Sequence, residues 1–363
     1  MTAAERDYWV ALCTVAGIGP IRFQRLLELC GDAQSAWNAS GFELTRAGLE
    51  RRSIEALLRL RNRASPEAIR ARLQQLDIDT LTLQDAHYPG NLREIADPPP
   101  VLFVRGSLTD QDTLAVALVG TRRATAYGIA VAERLAAELA CAGVTVVSGL
   151  ARGVDTAAHK AAVDAAGRTL AVLGNGLDQV YPSSNRQLAQ RITAAGALVS
   201  EFPPGTPPDA INFPRRNRII AGLSRVTVII EAGDRSGALI TADFALEQGR
   251  DVLAVPGSIL SPTCTGSNEL LKQGATPVTG VEDILNALGL LTETTAGMAR
   301  AVPTRILGEQ ESFVWEALGA DPRHVDELAR SLGRGAGEVS ATLAMLELNG
   351  MARQVGTMLY TRA

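Results

Sequence analysis

Six short apolar segments alternate with helical stretches through the middle of the chain, and this alternation constrains the fold more than any other feature. They occupy residues 114–120, 144–149, 169–174, 197–202, 226–232 and 251–257. Strands this apolar are covered on both faces, as in a parallel sheet flanked by helices. The sequence therefore predicts a doubly wound, Rossmann-like α/β domain over residues 81–290.

Helical patterns flank this α/β domain on both sides. Residues 1–80 predict an all-α, helix-hairpin-helix (SAM-like) domain, in which residues 17–20 (Gly-Ile-Gly-Pro) form a turn that either binds a DNA phosphate or is only structural. A polar linker is predicted at 291–305. Three helices and a terminal hairpin over 306–363 predict a winged-helix-like domain. Its third helix contains no Arg or Lys, which favours protein contact or packing over DNA readout.

Composition excludes several classes of protein. The chain is 46% hydrophobic and 20% charged, as expected of a globular protein. Its apolar runs are far shorter than the roughly 20 residues of a membrane span, and no secretory signal opens it. We therefore expect a cytoplasmic protein without a membrane partner. The four cysteines and three histidines are dispersed, so no metal site, cofactor or disulfide is expected.

The loops that follow the predicted strands combine Gly with Arg or hydroxyl residues. In an open parallel sheet the ligand binds outside the carboxyl ends of the strands. Gly120 and Gly149 would let the backbone approach a phosphate closely, while Arg122 and Arg152 supply forked donors suited to phosphate oxygens. These loops predict a polyanion site.

The densest positive charge falls in "NFPRRNRII", residues 212–220, although the net charge of the chain is -4. The arginines begin a predicted helix, whose amide end adds to their charge, and Phe213 is placed to stack on a base. The net charge does not oppose DNA binding, because DNA meets the local field. The alternative, with Phe213 in the core and the arginines in surface salt bridges, stays open at this point.

Common nucleotide and hydrolase motifs are not found. The fingerprint G-x-G-x-x-G has Gln179 at its last position, neither lysine of the chain is followed by Ser or Thr as a P-loop requires, and Ser236 directly precedes Gly237 where a nucleophile elbow needs an intervening residue. NAD oxidoreductase, P-loop ATPase and α/β hydrolase are all disfavoured. No catalytic residue is assigned.

At the strand-end loops the sequence resembles the DNA-processing protein A (DprA, also called Smf) family. The resemblance covers about residues 98–281 and includes "GTRRATAYG", "SGLARGVDTAAHKAAV", "LGNGLDQVYPSSN", "FPRRNRIIAGLS", "SGALITADFALEQGRDVLAVPG" and "GSNELLKQGA", in the order of the family. It implies a non-enzymatic single-stranded DNA-binding protein of natural transformation, which protects incoming DNA and loads the RecA recombinase onto it. It also implies a homodimer formed through the Rossmann-like domain.

The resemblance implies DNA-binding roles for three motifs. Lys160 follows the second motif and is a further candidate, whereas Arg215 occupies a variable position and is the least certain of the three arginines. The motif residues are Gly120 and Arg122 in G-[ST]-R, Ser148, Gly149, Arg152 and Gly153 in S-G-x-A-R-G, and Phe213, Arg216, Asn217 and Arg218 in F-P-x-R-N-R.

Other residues of these motifs are assigned structural roles. Asp155 and His159 lie four apart on a predicted helix and are expected to form a local pair. Ser236 is expected to cap the helix that follows Glu231, together with Gly237 and Thr241. Asp178, Tyr181 and Asn185 are expected to form a loop wall.

Two alternatives to a DNA-binding protein are considered. The first is an enzyme similar to nucleoside-monophosphate phosphoribohydrolases, with Glu231 as its catalytic acid, although Glu231 precedes the loop on which such enzymes rely. The second is a protein adaptor that works through its winged-helix-like domain.

Overall fold

The computed structural model describes residues 2–290, 309–319, 322–348, 351–356 and 358–362. The chain divides into two compact units, Met1–Thr292 and Glu293–Ala363. The linker predicted at 291–305 lies outside the described residues. Within the described ranges, no helix combines the length and the apolar character that a membrane crossing requires.

Several helices of the first unit begin where the sequence supplies a cap. Asp32, Ser40, Ser65 and Thr125 each accept a hydrogen bond from a first-turn backbone N–H. The helices are α1 (Ala3–Cys13), α2 (Pro20–Cys30), α3 (Ala33–Asn38), α4 (Gly41–Arg46), α5 (Arg51–Arg61), α6 (Pro66–Gln75), α7 (Gly90–Arg93), α8 (Ala126–Cys141), α9 (Val154–Asp164), α10 (Arg186–Ala195), α11 (Asn212–Leu223), α12 (Gly237–Glu247), α13 (Thr265–Lys272) and α14 (Val281–Ala287).

The strands of the first unit form one nine-stranded sheet in the order β1-β2-β6-β5-β4-β3-β7-β8-β9. All pairs among β3 to β9 are parallel, which confirms the predicted doubly wound fold. The order reverses at β3, which lies between β4 and β7. The strands are β1 (Asp79–Thr82), β2 (Val101–Gly106), β3 (Ala115–Val119), β4 (Thr145–Ser148), β5 (Thr169–Val172), β6 (Ala197–Ser200), β7 (Val226–Ile229), β8 (Asp251–Ala254) and β9 (Thr276–Pro277).

One edge of the sheet differs from the expected pattern. Strand β2 runs antiparallel to both β1 and β6, so a short antiparallel pair extends the parallel sheet. This pair was not predicted, because β1 has only four residues and is mostly polar.

Helices cover both faces of the sheet and explain the continuous apolar runs. On β3, Ala115, Ala117 and Val119 belong to a core shared with α11 and α12, whereas Val116 and Leu118 belong to a core shared with α8 and α9. A strand buried on both faces needs apolar residues at every position. The carboxyl ends of β3, β4 and β7 are thereby held in one fixed row.

The N-terminal helices pack against the sheet within the same unit. Trp9 and Leu26 share a core cluster with Phe103 of β2 and Leu173, which follows β5. The turn at residues 17–20 joins α1 to α2, as the helix-hairpin-helix pattern predicts. Gly17 has φ +88°, a left-handed conformation that favours glycine.

The second unit is a small helical domain with a three-stranded sheet in the order β10-β12-β11. Val314, Leu328, Val339 and Leu343 form its core. This arrangement confirms the predicted winged-helix-like domain. Its elements are α15 (Glu309–Ala317), β10 (Arg323–His324), α16 (Val325–Leu332), α17 (Ala336–Leu348), β11 (Ala352–Gly356) and β12 (Leu359–Arg362).

Candidate nucleic-acid interface

A cavity of about 680 Å³ opens beyond the carboxyl end of β3, where the strand order reverses. Its walls come from the loop after β3, the first turns of α11 and the start of α12. Five of the predicted DNA-binding residues line it: Gly120, Arg122, Phe213, Arg216 and Asn217. The cavity is therefore in the position where open parallel sheets bind ligands.

Arg216 places a fixed positive charge at the wall of this cavity. It is only 4% exposed, and its Nη1 donates hydrogen bonds to the carbonyl oxygen of Gly149, at 2.7 Å, and to that of Val172. Burial lowers the pKa of the Arg216 guanidinium to about 10, and the Asp155 carboxylate opposes that shift. The guanidinium therefore remains charged at neutral pH.

Asp155, in the first turn of α9, fixes the loop that follows β4. Its Oδ2 accepts hydrogen bonds from the backbone N–H groups of Gly149, at 3.1 Å, and Ala151, at 3.3 Å. Burial raises the pKa of Asp155, and the Arg216 guanidinium opposes this shift. The buried carboxylate and the buried guanidinium therefore each limit the cost of burying the other.

Gly149 is required for a reason that the sequence did not indicate. A Cβ at this position would lie 2.4 Å from Nη1 of Arg216, and the Gly149 N–H is already bound to Asp155. The absence of a side chain makes room for the arginine, not for close approach of the backbone to a phosphate. The sequence-based explanation for this glycine is corrected accordingly.

Phe213 contacts two guanidinium groups and a second aromatic ring. The Cζ atoms of Arg122 and Arg216 are 5.2 and 6.0 Å from its ring centroid, within range of cation–π attraction. The Tyr181 ring, 44% exposed, stacks on Phe213 with centroids 5.7 Å apart and an interplanar angle of 28°. Tyr181 was expected only in a loop wall, and its stacking partner follows 32 positions later in the sequence.

Three predicted residues shape the loops around the cavity through internal contacts. Ser148 is buried and its Oγ donates to the carbonyl oxygen of Leu118 at 2.6 Å. A Cβ on Gly120 would lie 2.5 Å from Val154, and one on Gly153 would lie 2.4 Å from the carbonyl oxygen of Thr121. Gly153 also has φ +79° at the N-terminus of α9, so it tolerates little else.

Two predicted basic residues lie outside the walls of the cavity. Arg152 precedes α9 and Lys160 lies further along that helix, and both are exposed. Their DNA-binding roles stay predictions.

Helix α11 directs its arginines to different surfaces. Arg216 lines the cavity, whereas Arg215 and Arg218 line a second groove. Arg218 is 5% exposed and pairs with Glu201 and with Asp97, the latter at 3.3 Å. Arg215 is exposed, with its Cζ 5.6 Å from the ring centroid of Phe202. The expectation that Arg218 contacts DNA more surely than Arg215 stays a prediction, and the internal partners of Arg218 do not favour it.

The structural roles assigned from sequence are partly confirmed. Ser236 accepts a hydrogen bond from the N–H of Ala238 and caps α12, as expected. The expected Asp155–His159 pair is wrong, because Asp155 binds the loop after β4 and Nδ1 of His159 lies 2.7 Å from Oγ1 of Thr169.

Glu231 holds the start of α8 and does not line the cavity. Its Oε2 accepts hydrogen bonds from the backbone N–H of Thr125, at 2.9 Å, and from the Thr125 hydroxyl, at 3.2 Å. Its Oε1 accepts one from the Thr263 hydroxyl. The residue is fully buried, so its contacts are those of an anchoring residue and give no support to a catalytic acid.

Comparison with known families matches both units of the chain. Residues 79–289 match the family described as DNA recombination-mediator protein A, and residues 298–356 match the DprA winged helix domain. The chain is 35% identical to Protein Smf of Synechocystis sp. over the whole of both chains. It is 42% identical to DNA processing protein DprA of Bacillus subtilis over 60% of this chain and 74% of that protein.

The solved structures that are similar to the chain include two at more than 30% identity. The structure of DNA processing protein A from Streptococcus pneumoniae is 35% identical, with a TM-score of 0.66 over 77% of this chain and 97% of that one. A Helicobacter pylori DNA processing protein A, whose structure concerns its single-stranded DNA binding mode, is 32% identical, with a TM-score of 0.53 over 58% of this chain and 95% of that one.

Proposed function

The chain belongs to the DNA recombination-mediator protein A family, and from this premise we propose that it binds single-stranded DNA at the cavity beyond β3. The observation that carries the proposal is the Arg122–Phe213–Arg216 group, in which two cations lie within cation–π range of one aromatic ring. Exposed arginines such as Arg122 neutralise phosphates, and exposed rings such as that of Tyr181 stack on unpaired bases. The proposal assigns the contact at the cavity to the five predicted residues that line it, Gly120, Arg122, Phe213, Arg216 and Asn217, and the other seven predicted residues lie outside its walls.

Sequence tolerance follows from the same chemistry. Every base has a π-face, so stacking on Phe213 and Tyr181 does not select a sequence. A base in a duplex is already stacked between its neighbours, so single strands have the advantage. Binding without chemical turnover is proposed, since the acidic residue next to the site, Glu231, serves as an anchor.

The cellular role that we propose is protection of incoming single strands in the cytoplasm during natural transformation, followed by loading of RecA onto them. A homodimer formed through the Rossmann-like domain is part of this proposal. The similarity to relatives named DNA processing protein DprA supports it. The winged-helix-like domain is proposed to contact protein, because α17 carries no basic side chain.

The DNA-binding proposal is tested by fluorescence anisotropy of a labelled strand and of its duplex over a salt series. The wild type is expected to bind the single strand more tightly than the duplex. The logarithm of its binding constant for the single strand should fall linearly with the logarithm of the salt concentration, by about 0.7 per phosphate neutralised. Arg122→Glu and Arg152→Glu should lower affinity about tenfold or more. Arg134→Glu, an exposed position on α8 outside the cavity, is the matched control. Wild-type affinity in Arg122→Glu would contradict the cavity site, and wild-type affinity in Arg152→Glu would contradict the predicted contact of Arg152, which lies outside the cavity walls.

The loading proposal needs a separate assay. RecA is added to strands already coated with single-strand-binding protein. The DNA-dependent ATPase activity of RecA is then followed in the presence and absence of this DprA-family protein. Faster onset with the wild type but not with Arg122→Glu is expected. Equal onset in all reactions would contradict loading while leaving the DNA-binding result intact. Analytical ultracentrifugation of the protein alone measures whether it is a dimer.

A further inference from the structure

A second groove, of about 660 Å³, shares the start of α11 with the cavity. Phe213 and Arg216 line the cavity, whereas Asn212 and Arg215 line the groove. The facing wall of the groove is the hairpin turn at residues 17–20. The two depressions are thus neighbours along one helix, and a strand that leaves one can enter the other.

Arg215 supplies a cation at the hairpin side of the groove. Its Nη2 lies 3.8 Å from the point that a Cβ on Gly19 would occupy. The carboxylates of the groove, Asp97 and Glu201, lie within ion-pair distance of Arg218. Arg215 is exposed, with its guanidinium near the Phe202 ring. Its charge therefore faces the groove, and among the described residues no carboxylate lies at ion-pair distance from it.

The first turn of α2, which directly follows the hairpin turn, adds backbone donors on the same side of the groove as Arg215. Helix α2 begins at Pro20 after Gly19, with no side-chain cap. Within the described part of the chain, no carbonyl oxygen accepts a hydrogen bond from the N–H groups of Ile21 or Arg22. First-turn amides carry the positive end of the helix dipole. Together with a nearby guanidinium, they suit a phosphate.

Glu201 supplies a hydrogen-bond acceptor, and not a cation or donor, at another part of the groove wall. Its side chain is 7% exposed, and its Oε2 pairs with Arg218. Its Oε1 accepts no hydrogen bond from any described residue. A buried acceptor left without a donor is costly. This oxygen points to a ligand that carries a hydrogen-bond donor.

We propose that the groove binds one nucleotide of the same DNA strand, with its phosphate at Arg215 and the hairpin turn and with a base amino group at Glu201. This inference rests on the proposed function. A free anion would match only the basic side of the groove, whereas a nucleotide has an anion at one end and a donor at the other. Cytosine N4 is a donor that carboxylates accept from.

The sharpest test places a negative charge in the first turn of α2 without harming the helix. Ile21 is 61% exposed in the first turn of α2. An acidic residue there stabilises the helix dipole but repels a phosphate, so Ile21→Asp separates binding from folding. Ile21→Lys is the matched variant of opposite charge, and Arg215→Ala removes the guanidinium. Thermal unfolding of all three checks that the fold is kept.

Binding is measured by anisotropy with oligo-dC strands of about 4 and about 16 nucleotides, since site sizes fall in that range. Ile21→Asp and Arg215→Ala should weaken binding of the long strand about tenfold and leave the affinity for the short strand unchanged. Ile21→Lys should strengthen binding of the long strand. Oligo-dT, which has a carbonyl where cytosine has its amino group, should bind less tightly than oligo-dC only in the long form. Glu201→Gln should reduce that difference.

The outcomes separate this groove from the proposed function. Wild-type affinity for the long strand in both Ile21→Asp and Arg215→Ala overturns the groove site, while the short strand still reports on the cavity. Equal affinity of long dC and dT strands overturns the Glu201 contact. If the wild type binds neither strand, both the groove and the proposed function are overturned.

Discussion

Arg216 and Gly149 meet where no side chain other than hydrogen fits. Nη1 of Arg216 donates to the carbonyl oxygen of Gly149 at 2.7 Å, and a Cβ on Gly149 would lie 2.4 Å from the same nitrogen. The two residues are 67 positions apart, so this contact couples the loop after β4 to helix α11. The shape of the cavity depends on both of them.

Replacing Gly149 with alanine should therefore displace the Arg216 guanidinium. We expect the free energy of unfolding to fall by about 1–3 kcal/mol, as for other overpacked sites, together with a loss of DNA affinity. Urea denaturation and anisotropy measure the two effects. Gly90→Ala is the control, since nothing lies within 4 Å of its added Cβ. A stable Gly149→Ala protein with wild-type affinity would disprove the coupling.

Phe213 and Arg122 should contribute to DNA binding in different ways. Phe213→Ala removes stacking worth roughly 1–3 kcal/mol per base and should leave the salt dependence unchanged. Arg122→Ala removes a phosphate contact and should reduce the salt slope by about 0.7. Salt titrations of both variants measure this, with Arg134→Ala as the control. If Phe213→Ala changes the slope and not the affinity, the assignment of stacking fails.

Arg218 should matter more for stability than for binding at the cavity. Arg218→Leu leaves the Glu201 carboxylate buried without its partner, and breaking such pairs costs about 3–5 kcal/mol. The double variant Arg218→Leu/Glu201→Leu should recover part of this loss. Chemical denaturation of the wild type, both single variants and the double variant gives the coupling energy. Additive effects would mean that the two side chains do not stabilise each other.

His159 should make the protein less stable as the pH falls. Burial, and then the Arg216 charge, lower the pKa of His159 to about 3, whereas an unfolded histidine titrates near 6.5. Below about pH 6.5 the histidine of the unfolded chain is protonated, whereas His159 of the folded protein stays neutral down to about pH 3. The free energy of unfolding then falls by up to about 1.4 kcal/mol per pH unit.

The matched variant for this test is His159→Asn, which keeps a donor for the Thr169 hydroxyl. That hydroxyl donates to the carbonyl oxygen of Val146 and so accepts from His159. Between pH 6.5 and 5 the stability of the wild type should fall more steeply than that of the variant, as urea denaturation would show. Parallel curves would mean that the buried imidazole does not resist protonation.

The central strands were predictable because each carries its own signal. A strand covered on both faces, such as β3 from Ala115 to Val119, is apolar at every position, and Gly-rich loops follow it. The antiparallel β1 was not predictable, because Asp79–Thr82 is stabilised by pairing with β2 and not by its own composition. The winged-helix-like domain was predictable from local helix periodicity and a terminal hairpin.

The candidate site was predicted as a set of residues but not as an arrangement. The motifs and their positions after the strands predicted that Arg122, Phe213 and Arg216 belong to one site. The local sequence pattern does not indicate which arginines of "RRNR" are buried, because the burial of each depends on what packs against its side of α11. The Tyr181–Phe213 stack was likewise hidden, because Tyr181 comes from a loop and Phe213 from the first turn of α11, which only the folded sheet brings together.

By itself, the sequence determined the α/β architecture, the resemblance to the family and the row of Gly and Arg residues at the strand ends, because apolar periodicity and loop composition are local properties. Only the tertiary structure decided the use of each charge. Arg216 became a buried cation of the cavity, Arg218 the partner of Glu201, and Arg215 an exposed cation facing the hairpin turn. The reason is physical: a side chain's burial and partners are set by residues far away in the sequence, and these decide whether its charge is neutralised internally or left for a ligand.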